Sequence, residues 1–385
     1  MQRIASIAPL VAQHAGDAAF LWSRRRREID RPFLDETDIG RIDQRLEANI
    51  EGLAAAGESG WQAARAQFTD FAELGEIFVL GVTALRSGES EAIEIALSAS
   101  KETGAFAVGS LSGAVARTPR DLLKPFVAEW LAGRDPLRRS LGLAALQHHG
   151  IDPGARLANL LVDADPEVRR RALRLAGTFK RRDQLTPVIA ALDADLARER
   201  LTAAFAACLL GEARSAHPAL DQIVANQQDL AAHAIELRLL TTPGRAGKQW
   251  LQSRLDQPAL RIVATRAIGL LGDHAAMPWL IERMREPELA EAAGLALRDL
   301  FEVDFNDLAL FTLDPALLGP DFTGDEPLPI ADKVAAWWDE GRGGRGYGTF
   351  RSMRRLRLDA LRATLAEPDA TLADWRRTRC YPAWM

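Results

Sequence analysis

Apolar residues return every three or four positions along most of this chain, the spacing that gathers them on one side of a helix. After Asp38, the residues Ile42, Leu46, Ile50 and Leu53 form such a stripe. From about residue 74 the stripes themselves recur. Asp165-Pro166-Glu167-Val168-Arg169 leads to an apolar hexamer at 175–180, and Gln257-Pro258-Ala259-Leu260-Arg261 leads to one at 267–272. In both, the hexamer begins nine residues after the proline, and Pro136 and Pro287 keep the same register. Units aligned this way start at 74, 105, 136, 166, 197, 228, 258 and 287, with spacings of 29 to 31 residues. A period of that length marks a stacked repeat.

Each unit predicts two helices. Proline in a first helical turn is tolerated because its missing N–H has no intrahelical partner there. Gly150, Gly211 and Gly272 stand where the first helices should stop. A second stripe follows in Leu157-Leu160-Leu161, Val188-Ile189-Leu192, Leu220-Ile223-Val224 and Trp279-Leu280-Met284. Six positions into successive units lie Gly142, Ala172, Ala203, Ala234, Ala264 and Ala293, small enough to let neighbouring helices approach. A pair of this size cannot bury its apolar face alone, so neighbours must stack. The expected fold is all-α: a solenoid of about eight helix pairs over 73–303, a helical cap over 1–72, and a second cap over 304–385. Composition agrees, with 67 Ala and 54 Leu against 47 Val, Ile and Thr combined.

The pattern Asp-Pro-x-Val-Arg followed by Ala-Leu-Gly-x-Leu-Gly resembles the short HEAT-like repeats of the phycobilin-lyase type, across residues 74–303. The flanks carry a second resemblance. They hold His14 with Ala19-Phe20-Leu21-Trp22, the run from Asp43 to Leu53, and Ala56-Gly57-Glu58-Ser59-Gly60-Trp61. Later come Leu328-Pro329, Ala335-Ala336-Trp337-Trp338, a Gly/Arg/Tyr loop and Trp375. Together these are similar to a proteobacterial family often encoded beside type VI secretion genes, with Asn49 where that family usually has histidine. The resemblance implies a partner in that secretion system and carries no catalytic residues.

Charge is nearly balanced, with 48 cations, 53 anions and a net −5, so no global field favours nucleic acid or an anionic membrane. The two cysteines, Cys208 and Cys380, exclude a disulfide framework and a four-cysteine zinc site, and suit a reducing compartment. No apolar run reaches the roughly 20 residues of a membrane span. These features point to a cytoplasmic protein.

Candidate chemistry is sparse. None of the six histidines precedes a glutamate, against the paired ligands of a HEAT-like di-iron hydroxylase. There is no Walker lysine motif, and Gly109-Ser110-Leu111-Ser112-Gly113 lacks the strand that a nucleophile elbow needs. No catalytic, metal or cofactor residues emerge. Three positions into their units lie Arg139, Arg169, Arg200 and Arg261. They read either as a ladder bonding acids of adjacent repeats, such as Asp135 and Asp165, or as a basic strip for an acidic partner. Seven cations crowd residues 169–182 with one aromatic neighbour, Phe179, which speaks against nucleic acid. Arg342 and Arg345 sit in the Gly/Arg loop, downstream of the acidic stretch 302–326. Trp337 and Trp338 read as capping core or, if exposed, as binding anchors. The expectation is a non-enzymatic protein-interaction scaffold that holds its partner on the curved inner surface formed by the second helices, an adaptor or chaperone linked to type VI secretion. The alternatives are an immunity protein that blocks a toxin, and a HEAT-like enzyme or enzyme accessory.

Overall fold

The structure, a computed structural model, describes residues 7–28, 34–301, 303, 309–340 and 353–366. Those residues are mainly helical and divide into two compact units, which part between Phe179 and Lys180 inside the expected repeat array.

In the first unit three helices precede the repeats: α1 (Ala8–Glu28), α2 (Glu36–Ala55) and α3 (Glu58–Phe71). The repeats follow as α4 (Leu74–Ser87) with α5 (Ser90–Thr103), then a 3-10 turn at Ala105–Ala107 entering α6 (Val108–Ala116) with α7 (Arg120–Ala132). They continue as α8 (Pro136–His149) with α9 (Arg156–Leu161), and α10 (Pro166–Thr178). The first helices α4, α6, α8 and α10 pack one on the next, while α1 and α3 lie on α4. Trp22 of α1 seals that contact by stacking on Phe78 with ring centroids 5.0 Å apart.

The second unit holds α11 (Leu185–Ala190), α12 (Ala197–Leu209), α13 (Ala213–Asn226), α14 (Gln228–Leu240) and α15 (Arg245–Leu255). A turn at Pro258–Leu260 enters α16 (Arg261–Leu271), followed by α17 (Met277–Arg283) and α18 (Pro287–Phe301). Here α12, α14, α16 and α18 stack in order. Beyond them, β1 (Phe311–Thr312) pairs antiparallel with β2 (Leu328–Pro329), the one sheet among the described residues. The strands lead to α19 (Ala331–Asp339) and α20 (Met353–Ala366). No helix among the described residues is long and apolar enough to cross a membrane.

A helical element begins at each of the eight expected starts: Leu74, Ala105, Pro136, Pro166, Ala197, Gln228, Pro258 and Pro287. The local cause is visible at α10. Asp165 stays extended and its carboxylate accepts from the backbone N–H groups of Glu167 and Val168, while Pro166 takes the first helical position. Asp135 caps α8 in the same way through Leu137. Gly150 and Gly272 end α8 and α16 with φ of 59° and 66°, a conformation that glycine adopts without steric cost. The small residues six positions into the units are buried without exception, which lets the first helices pack closely.

Candidate functional site

Charge is buried in a pattern. Glu76, Arg171, Arg174, Glu199, Glu236 and Arg298 are buried on first helices, and Arg357 is buried on α20. Among the described residues no second helix buries a charged side chain. Taking an ion out of water costs several kcal/mol, so the partners of these groups decide what the faces can do.

In the first unit, the charges of α1, α2, α4 and the end of α6 interlock. Asp43 on α2 accepts from Arg25 Nε at 2.7 Å and from Arg117 Nη2. Glu47, one turn on, accepts from Arg86 Nη2 and lies 3.6 Å from Arg117. Arg86 also donates to the Arg117 carbonyl, through Nε at 3.1 Å and Nη2 at 2.6 Å. Burial alone would raise the Asp43 carboxyl, but Arg25 and Arg117 hold it below the usual carboxylate range. An open cavity of about 510 Å³ is bounded by Asp43, Gln44, Glu47, Ala48 and Glu51 of α2 and by Arg117.

Arg86 and Arg117 stand one period apart, 31 residues, and His148 stands one period further on. Burial, together with Arg174, Arg171, His149 and Arg117, pushes the imidazole of His148 down to about 3, so the ring is neutral at ordinary pH. The residue keeps some accessible surface, but the cations around the ring still oppose a further charge. Arg174 donates to the Gln147 amide oxygen through Nη2 at 2.7 Å and Nε at 2.9 Å. Arg171 donates to Glu167 at 3.0 Å and to Ser112 Oγ at 2.7 Å. Glu167 also takes a two-pronged bond from Arg170, at 2.8 and 2.7 Å.

The residues singled out by sequence occupy defined places. Arg139, Arg169 and Arg200 each donate through Nη1 to a main-chain carbonyl six residues upstream: Gly133, Asp163 and Ala194, at 3.0, 2.8 and 2.6 Å. Arg169 and Arg200 add the carbonyl five residues upstream, at 3.0 and 2.9 Å. Each guanidinium thus clasps the loop that leads into its own helix. Acids are engaged by Arg139, on Asp163 at 2.8 Å, and by Arg261, on Glu286 at 2.9 Å. Asp165 serves as a helix cap, while Asp135 both caps α8 and accepts from Lys101 Nζ at 2.7 Å, since a carboxylate beside the first turn meets free N–H groups and keeps a second oxygen for a side chain.

Trp337 is buried edge-on against Phe301, with centroids 5.3 Å apart. Trp338 is half-buried and lies 5.8 Å from the same ring, while His274 lies 4.5 Å away on the other contact. Trp337 therefore forms core beyond α18, with Trp338 at its edge. Arg342 and Arg345 lie outside the described residues.

Within the second unit, Cys208, Thr241 and His217 form a row whose composition invites a nucleophile reading. Burial pushes the Cys208 thiol up to about 12, so the reactive thiolate is not formed at ordinary pH. The Thr241 hydroxyl is directed at the carbonyl of Leu237, at 2.9 Å. Nearby, Trp250 donates to Asp221 at 2.9 Å, and the guanidinium groups of Arg238 and Arg254 lie 5.2 and 4.6 Å from its ring centroid. These contacts tie α13, α14 and α15 together. Among the described residues no group of three or more His, Cys, Asp or Glu is arranged to hold a metal ion.

The last face belongs to α12, α14 and α16, and α20 rests on it. Arg357 of α20 lies 3.7 Å from Glu236 of α14. Arg362 donates to the carbonyl of Leu270, at the end of α16, at 2.9 Å. Lys180 bridges the carbonyls of Leu209 and Thr364 at 2.7 and 3.1 Å, joining the end of α12 to the end of α20. Sequence patterning misses these pairings, because Glu236 and Arg357 each look like ordinary solvent-facing helix residues. Compared with known proteins, the chain matches no family model and no curated sequence.

Proposed function

We infer that the chain is a non-enzymatic scaffold that holds a protein partner on the surface of its helical repeats. The observation that carries this reading is the stacking of successive helix pairs within each unit, an architecture whose repeated helices present extended surfaces to a partner. The Cys208 thiol, held protonated by burial, offers no nucleophile at ordinary pH.

The HEAT-like character of the repeats and the resemblance of the flanks, from His14 to Trp61 and again at Trp337-Trp338, support a setting in type VI secretion. There the chain acts as adaptor or chaperone for an effector or spike component, in the cytoplasm. The test is purification of the tagged full chain from actively secreting source cells, with partners read by mass spectrometry. A secretion component recovered at stoichiometric yield is the expected result. Its absence from such cells overturns the assignment. A single toxin partner, with growth restored on co-expression, makes the chain an immunity protein instead.

A further inference from the structure

The last turn of α1 carries Arg25, Arg26 and Arg27. Cations at a helix C-terminus favour the helix dipole, and Arg25 is committed to Asp43. Arg26 is placed differently. Its guanidinium carbon lies 5.5 Å from the ring centroid of Trp22, which is buried and itself stacked on Phe78. The same guanidinium rests on α6, where a Cβ at Gly109 would lie 3.2 Å from Arg26 Nη2 and 3.3 Å from Nη1. An aromatic ring and a bare stretch of backbone therefore seat the group. The residue is nonetheless exposed, and no carboxylate among the described residues bonds it.

The surroundings are positive as well. Arg171 reaches the Ser112 hydroxyl, one turn along α6 from Gly109. The carboxylates of this region are each shared between guanidinium groups: Asp43 by Arg25 and Arg117, Glu47 by Arg86 and Arg117, Glu167 by Arg170 and Arg171. The neutral ring of His148 reports the same field, since Arg174, Arg171 and Arg117 all oppose its protonation. Beside Arg26 there is also an apolar feature. Phe106, three residues before Gly109 in the turn that enters α6, is 78% exposed. Aromatic and arginine side chains are the groups that dominate binding energy at protein interfaces.

The planar fork of a guanidinium pairs best with a carboxylate or a phosphate. Packed helices stand about 8–10 Å apart, so cations spread from α6 across α8 to α10 suit a segment with several carboxylates better than one small ion. A lone exposed aromatic gives no platform for successive bases. We propose that Arg26 and Phe106, at the junction of α1 with α6, anchor a docking site for an acidic segment of a protein partner. This deepens the scaffold reading and rests on it.

The test uses the full chain and a labelled synthetic peptide of ten glutamates around a central leucine, with a glutamine version as neutral control. The acidic peptide is expected to bind at least ten-fold more tightly than the neutral one. Arg26→Gln is expected to weaken it at least five-fold, and Phe106→Ser to weaken it measurably. Arg156→Gln, which removes an exposed arginine elsewhere in the same unit, should change it less than two-fold. Gly109→Val keeps every charge but pushes the guanidinium off its seat, so it should weaken binding as Arg26→Gln does. Should that variant lose helix content, Arg26→Lys, which keeps the charge without the planar fork, replaces it with the same expectation. Equal losses in Arg26→Gln and Arg156→Gln mean diffuse attraction and overturn the proposal, as does unchanged binding in the folded Gly109→Val chain. Tighter binding of a single-stranded RNA of equal charge overturns the assignment to a protein partner. If peptide binding ignores Arg26 while purification still recovers a partner, the scaffold reading stands and this site falls. Arg26-dependent binding with no partner recovered keeps the site and removes the type VI setting.

Discussion

At His148 the surroundings remove a charge that water would permit. The ring titrates near 6.5 in an unfolded chain and at about 3 here, so between those values the unfolded state binds the extra proton. Stability contributed by the neutral ring is therefore whole above pH 6.5 and falls as pH drops toward 3. We expect the imidazole signals to show no titration between pH 5 and 8 by NMR, and His148→Gln to flatten the acid limb of the stability profile. Gly269 makes a different single-residue point. A Cβ there would lie 2.6 Å from the Asp299 Cβ and 2.9 Å from the Ala296 carbonyl, at the contact of α16 with α18. Overpacking of this kind costs about 1–3 kcal/mol, so Gly269→Ala should lower the urea midpoint with little change in slope.

Among the elements, the clasping arginines separate structure from recognition. Charge-assisted hydrogen bonds contribute about 1.5–3 kcal/mol, so Arg169→Ala and Arg200→Ala should each lower stability measurably while leaving partner recovery unchanged. Loss of recovery at full stability would return them to a binding surface. Removing the Asp165 cap should cost α10 about 1 kcal/mol in a denaturation experiment. The helix starts are legible in the sequence because proline after an acid, the stop glycines and the sixth-position alanines act within one turn of themselves. The charged faces are not. Arg117 finds Asp43 across 74 residues of chain, and the arginine clasps end on main-chain carbonyls, which no side-chain pattern announces. Asn49 acquires a meaning only in three dimensions, where its amide oxygen meets His14 Nδ1 at 2.8 Å.

For the molecule as a whole, stacked repeats draw stability from nearest neighbours, so loosening one unit need not loosen the other. Cys208 offers a reporter for the second unit, since it is buried and its thiol is protonated. In a Cys380→Ser background, Cys208 should resist a thiol reagent under native conditions. Gly269→Ala should speed its labelling, whereas removal of the Asp165 cap in the first unit should not. Equal acceleration by both would show the chain opening as one cooperative body.

The place of α20 in the chain sets an order in time. It follows α16 by about 80 residues, and synthesis proceeds at about 5–20 residues per second, so roughly 4–16 s separate the two on the ribosome. During that interval Glu236 has no Arg357 beside it. The ion pair between α14 and α20 is therefore completed late, by the last of the described helices.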